Sequence, residues 1–430
     1  MAKIDETRNF VNGDRIAAVF AELYGGRPEV VERQRTRYLG LLDEFARTFP
    51  GSDDVELFST PGRTEVGGNH TDHNGGRVLA AAVDLDSLAA VSKNDEGVIR
   101  IMTEGFPNIL VCVHELVPVE SEKLSSAALV RGVCAKFAQL GYRVGGFSAV
   151  VKSNVPNGAG LSSSASFEVL IATILNHLYN NAAIDDVLIA QIAQYSENNY
   201  FGKPCGLMDQ TTCSVGGLVT IDFRDFQNPV VEKVDFDFDS CGYTMVVSDT
   251  GGSHADLNGD YTALEHEMKS VARALGGQVL RDFTLGDVMK NIPYIRGRLH
   301  NDRALLRAVH FYGDDQRVVD QVRALRGGDF NRFLELVTQS GESSWMLCQN
   351  CYSSKGTDEQ GVSVALAVSE SLLKGRGAWR VHGGGFAGTI ESFVPEDMLD
   401  EYICRMEGIF GKGSCHRLVV RPSHSTKLIL

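Results

Sequence analysis

Residues 61–76 read PGRTEVGGNHTDHNGG: two histidines around an aspartate, amide side chains beside them, and a glycine pair behind. Three chemistries compete for this pattern: a metal cage, a hydrolytic site, and a surface for a molecule rich in hydroxyls. Zinc is disfavoured, because His70 and His73 stand three residues apart in an irregular stretch with no third strong ligand at a familiar spacing. A sugar fits better. Asp72 offers two acceptor oxygens, Asn69 and His70 donate or accept in a fixed direction, and Arg63 is a permanent cation. A polar turn held by its own Asx caps is the plain alternative. The preceding VELFST (55–60) reads as a strand ending at Pro61 and Gly62, which puts the pattern in the loop that follows.

Around this stretch lies a chain of 430 residues, long for one core, so two domains are expected, 1–230 and 231–430. Hydrophobic residues make up 43% and charged residues 22%, the balance of a soluble globular protein. A net charge of -14 with no Lys/Arg-rich run argues against nucleic acid as a partner, since phosphate backbones are held by clustered cations. The N-terminal MAKIDETRNF lacks the apolar core of a signal peptide, and no stretch has the length of a membrane span. A cytoplasmic protein without membrane contact is the expectation. Of the nine cysteines only Cys348 and Cys351 have CxxC spacing, without the second pair a zinc ribbon needs, so free thiols are expected.

Helical periodicity runs through 14–49, with Ile16, Val19, Phe20 and Leu23 on one face and Leu39, Leu42 and Phe45 on another. The stretch 78–105 reads as sheet broken by an Asn-Asp-Glu-Gly turn at 94–97, and 146–180 as a strand, a Gly/Ser loop and a helix apolar almost all round. Short strands follow Asp225, then helices near 262–275 and 316–338, then a glycine-broken strand pair at 378–394.

That Gly/Ser loop is NGAGLSSSA, 157–165. Its glycines let backbone approach a ligand, and its serines lead into a helix whose free N–H groups and positive dipole end face the loop. Phosphate and a simple helix cap are both consistent with it; a Walker A loop is not, because no Gly-Lys-Ser/Thr follows. In GKPCGLMDQ (202–210) Asp209 follows a Gly-Pro turn, and alone it signals little. VHGGGF (381–386) looks like a lipase oxyanion motif, but no G-x-S-x-G elbow exists to serve it.

Taken in order, PGR…NHTDHNGG, PNGAGLSSSA, PCGLMDQ and HGGGFAG resemble the galactokinase family of the GHMP kinase superfamily over residues 61 to 388. The resemblance implies an α+β, two-lobed GHMP kinase fold, with a ribosomal S5 domain 2-like N-terminal lobe and a ferredoxin-like C-terminal lobe. It implies an ATP- and Mg2+-dependent sugar-1-kinase, most simply a galactokinase, acting on a small sugar and ATP; a monomer is the expectation, although the sequence itself does not reveal oligomeric state. Arg63, Asn69, His70, Asp72, Gly206, Asp209 and Tyr261 would line the sugar site. Asp209 would take the proton of the anomeric hydroxyl, and Arg63 would pair with it and stabilise transition-state charge. Gly158, Ala159, Gly160, Leu161, Ser162, Ser163 and Ser164 would form the ATP loop. Ser164 and Glu197, twelve residues before Asp209, would hold magnesium.

Three departures bear on the sugar. The family's first motif usually reads PGRVNLIGEHTDYNGG, and its glutamate, which binds the exocyclic hydroxyl, is Asn69 here. SDTGGSHADL (248–257) replaces a TNSNVRHSL-like segment, and SSWMLCQNCYSSKGTDEQGV lacks the SLRDDYEVSCPELD pattern. A kinase for a C6-modified galactose such as galacturonate is therefore an alternative. A non-catalytic galactose/ATP sensor is another, against which the intact Ser164-Ala165 and Asp209 speak.

Overall fold

The computed structural model describes all residues except 1, 106, 157–159, 204, 239, 253–256, 355–357 and 429–430. Gly158 and Ala159, expected in the ATP loop, lie outside the described residues.

A large sheet is built on two long neighbours, β2 (Asp54–Gly67) and β3 (Arg77–Lys93). Side chains alternate across β3: Ala89 and Val91 enter one core while Leu88 and Ala90 enter another. Both faces must therefore be covered. The helices Ser126–Gln139, Ser163–Tyr179 and Asp186–Ser196 cover the first, and Arg15–Tyr24 with Pro28–Thr48 covers the second. Each core aliphatic or aromatic side chain so removed from water contributes about 1.5–3 kcal/mol. The helix after the Gly/Ser loop is apolar all round because it is buried all round.

Around the two long strands stand β1 (Ala2–Lys3), β4 (Val98–Thr103), β5 (Ile109–Cys112), β6 (Phe147–Ser153), β7 (Leu218–Asp222) and β8 (Val230–Lys233), in the order β1-β2-β3-β6-β4-β5 with β7 and β8 continuing from the start of β3. The strand expected to stop at Pro61–Gly62 instead runs on to Gly67. Register shifts between Pro61 and Arg63, and between Glu65 and Gly67, accommodate the proline and re-aim Arg63.

A second sheet joins β9 (Tyr243–Asp249), β10 (Ala378–Val381), β11 (Thr389–Pro395) and β12 (Cys415–Leu418) in the antiparallel order β10-β11-β9-β12. With helices between β9 and β10 and the helix Leu399–Phe410 between β11 and β12, this is the ferredoxin-like arrangement. The helical run expected near 316–338 is two helices, Asp302–Arg326 and Phe330–Ser343, separated by the Gly327–Gly328 turn. The chain then returns to the first sheet: β13 (Thr426–Lys427) pairs with β2, and Arg421 donates to Ser59.

Candidate active site

Arg63 leaves β2 just beyond the first register shift and forks onto Asp209, Nε to Oδ1 at 2.8 Å and Nη2 to Oδ2 at 2.7 Å. Its third nitrogen donates to the Gly160 carbonyl, and its backbone N–H to Leu161 O at 3.2 Å. One arginine thus ties the first motif to the Gly/Ser loop and to Asp209, in the first turn of the helix Met208–Val215. Ser162 takes a left-handed conformation, φ 58° and ψ 58°, and its hydroxyl donates to Asp209 Oδ2 rather than capping the helix behind it. The side chain of Asp209 stays 30% exposed, open to a substrate hydroxyl.

Asp72 begins a short turn, Asp72–Asn74, facing Gly206. Burial, with the charge of Asp209 acting the same way, lifts its carboxyl to about 6. His70 has a positive φ of 60° and its Nε2–H donates to Gly384 O at 3.0 Å; burial and then His73 depress it to about 3, so it is neutral. The Tyr261 hydroxyl donates to Gly385 O at 2.8 Å. Asn69 differs from these. It is fully buried, and protein groups take all four positions of its amide: Glu65 Oε1 at 2.9 Å, Gly383 O at 2.8 Å, Ser344 Oγ at 3.2 Å and Asn350 Nδ2 at 2.8 Å.

On the other side, the helix Ser163–Tyr179 starts at a cavity of about 500 Å³ lined by Ser163, Ser164, Phe167, Thr103, Ile109 and Leu124 among others. Ser164 Oγ lies 3.2 Å from Glu197 Oε1, and Gln210 Nε2 donates to Glu197 Oε2 at 2.9 Å. Glu197 opens a single π turn, Glu197–Phe201, that interrupts the helical path there.

The galactokinase galactose-binding signature matches residues 43–93, and the GHMP kinases N terminal domain matches residues 128–217. The galactokinase of Streptomyces coelicolor is 30% identical over 380 residues, 86% of this chain and 92% of that protein. The chain belongs to the galactokinase family. The structure of Lactococcus lactis galactokinase complexed with galactose superposes with a TM-score of 0.76, at 22% identity over 90% of this chain and 98% of that one. The Methanococcus jannaschii mevalonate kinase follows at a TM-score of 0.60 and 15% identity, over 86% of this chain and 99% of its own. The two-lobed GHMP kinase fold is thus the fold of this galactokinase-family chain.

Some residues of the site escaped the sequence. Glu168, on the helix face opposite solvent, is fully buried with Oε1 unpartnered; burial, reinforced by Glu197, holds its carboxyl well above the usual range. His382 sits under the Gly/Ser loop, bonded to Thr64 Oγ1 at 3.0 Å and Thr389 Oγ1 at 2.9 Å. Burial, then Arg63 and Arg380, push its pKa well down, so it is neutral. Glu168 carried no sequence signal beyond a polar residue in an apolar helix, whereas His382 opens the HGGGFAG motif, whose pattern does not announce the Thr64 contact. Cys348 and Cys351 are buried free thiols. Among the described residues no cluster of three or more His, Cys, Asp or Glu has metal-binding geometry, and no helix is long and apolar enough to cross a membrane.

Proposed function

We propose that this chain transfers the γ-phosphoryl group of ATP to the anomeric hydroxyl of galactose. The observation that carries the reading is the Arg63–Asp209 pair, held between a loop fit for a sugar and a helix N-terminus fit for phosphate. Phosphoryl transfer needs positioning and charge neutralisation more than covalent chemistry. Asp209, fixed by the arginine fork and Ser162, would accept the hydroxyl proton, with Asp72 and His70 orienting the ring. Arg63, bonded to Gly160 of the ATP loop, would stabilise charge as it develops between the substrates. The cavity beside Ser163 and Ser164 has the size for a nucleoside, and the start of the long helix would receive the phosphates.

The residues present also fit magnesium. Ser164, Glu197 and the unpartnered oxygen of buried Glu168 make an oxygen-only set with crowded negative charge, which suits a hard cation. Ser164 and Glu197 would hold it, where it would neutralise the nucleotide phosphates. A monomeric, cytoplasmic enzyme is the simplest form of this reading.

An ADP-release assay with ATP, Mg2+ and a panel of free hexoses and hexuronates tests it, with galactose 1-phosphate expected. ADP formation with galacturonate but not galactose would move the substrate to a C6 acid; no ADP with any sugar would leave a sensor.

A further inference from the structure

The family motif PGRVNLIGEHTDYNGG and this chain's PGRTEVGGNHTDHNGG differ at two positions in a reciprocal way: where the motif has asparagine and then glutamate, this chain has Glu65 and then Asn69. The two side chains touch, Asn69 Nδ2 donating to Glu65 Oε1 at 2.9 Å. The same oxygen accepts from Arg380 Nη2 at 2.6 Å in an ion pair whose side chains are 0% and 6% exposed. In this chain the acid stands on β2, where Arg380 on β10 pairs with it.

We propose that Glu65 and Asn69 are an exchanged, mutually dependent pair whose task is to position the HGGGFAG loop against the sugar loop, and that Asn69 does not read the sugar. This rests on the sugar-kinase reading above for its consequence to turnover. The geometry is specific. Asn69 Nδ2 and His70 Nε2 capture the carbonyls of Gly383 and Gly384, and Asn350 Nδ2 reaches Gly384 O at 3.3 Å. In a planar trans peptide the N–H points opposite to the carbonyl, so the N–H groups of Gly384 and Gly385 are turned away from the sugar loop. The backbone of Asn69 is held as well, its N–H on Asp314 Oδ2 at 2.7 Å and its carbonyl on His310 Nε2 at 2.8 Å. Its amide therefore has no spare donor or acceptor to offer a hydroxyl. A glutamate at 69 beside Glu65 would set two buried carboxylates together and face a third acceptor at Gly383 O.

A double-mutant cycle on the full-length enzyme tests the pair: Glu65→Asn, Asn69→Glu, and both together, with kcat/KM measured for galactose and for ATP. Each single variant is expected to lose at least about tenfold, about 1.4 kcal/mol, and the reciprocal double variant to return to within about threefold of wild type. Losses that simply multiply would overturn the coupling. Asn69→Glu alone with unchanged or better galactose KM would overturn the positioning role and return residue 69 to the sugar. The same cycle read by Tm decides the pair independently of turnover, so a wild type inactive on every sugar would defeat the kinase reading and still leave this one testable. If Asn69→Glu does not fold, the isosteric Asn69→Asp with Glu65→Gln repeats the cycle.

Discussion

Arg63 and Asp209 lie 146 residues apart in the chain and meet as a two-bond ion pair that a hydroxyl from Ser162 completes. A carboxylate gripped this way keeps one orientation, and a base must be aimed before it can work. Asp209→Asn preserves shape while removing the acceptor for a proton. It should lower kcat by about 10²–10⁴-fold while sugar binding, followed by calorimetry, survives. Near-normal turnover would reduce Asp209 to a first-turn residue of its helix.

Gly206 is the second contact whose chemistry can be isolated. A Cβ there would lie 2.1 Å from Asp72 Oδ2, so Gly206→Ala must push the carboxylate out of its place. The expected result is a galactose KM raised by about tenfold or more with nucleotide affinity unchanged, since the cavity beside Ser164 is untouched. An unchanged sugar KM would remove Asp72 from the sugar site.

The oxygen pair Ser164 and Glu197 predicts a different signature. Ser164→Ala and Glu197→Gln should each raise the Mg2+ concentration giving half-maximal activity by at least about tenfold, with recovery at high Mg2+. A Mg2+ titration identical to wild type in both variants would place the ion elsewhere.

The Gly/Ser loop and the turn before Asp209 were legible as loops because their residue types have few other uses: Gly160 at positive φ, serines at a helix start, an aspartate after a glycine turn. Helices 15–48 and 163–179 were legible from periodicity and from all-round apolarity. The extent of β2 was not, because Pro61 ordinarily ends a strand and only the register shift against β3 lets it pass. The hydrogen-bond partners of Asn69 were not, because Ser344, Asn350 and Gly383 reach it from far along the chain, and no local pattern announces a contact made 314 residues away. The C-terminal return of Thr426 and Lys427 to β2 was missed for the same reason: two residues of strand carry no periodicity.

Glu391 gives the last prediction. It lies on β11, opposite Arg380 in register, fully buried, accepting from Thr64 Oγ1 at 2.5 Å with its other oxygen unpartnered. Burial lifts its carboxyl from 4.5 to about 7, against the pull of the Thr64 bond, Arg380 and Arg63 and with the push of Glu65. A raised folded-state pKa means that the native chain keeps a proton the unfolded chain releases. The associated stability is complete below about pH 4.5 and is lost as pH rises through 7. Glu391→Gln stays neutral at every pH and can still accept from Thr64. Its Tm should match wild type near pH 5 and exceed it by roughly 2–4 °C at pH 8. A gap that fails to open with pH, or a variant less stable than wild type at pH 8, would mean that Glu391 is ionised in the fold and paired with Arg380, and that the buried arginine serves two carboxylates rather than Glu65 alone.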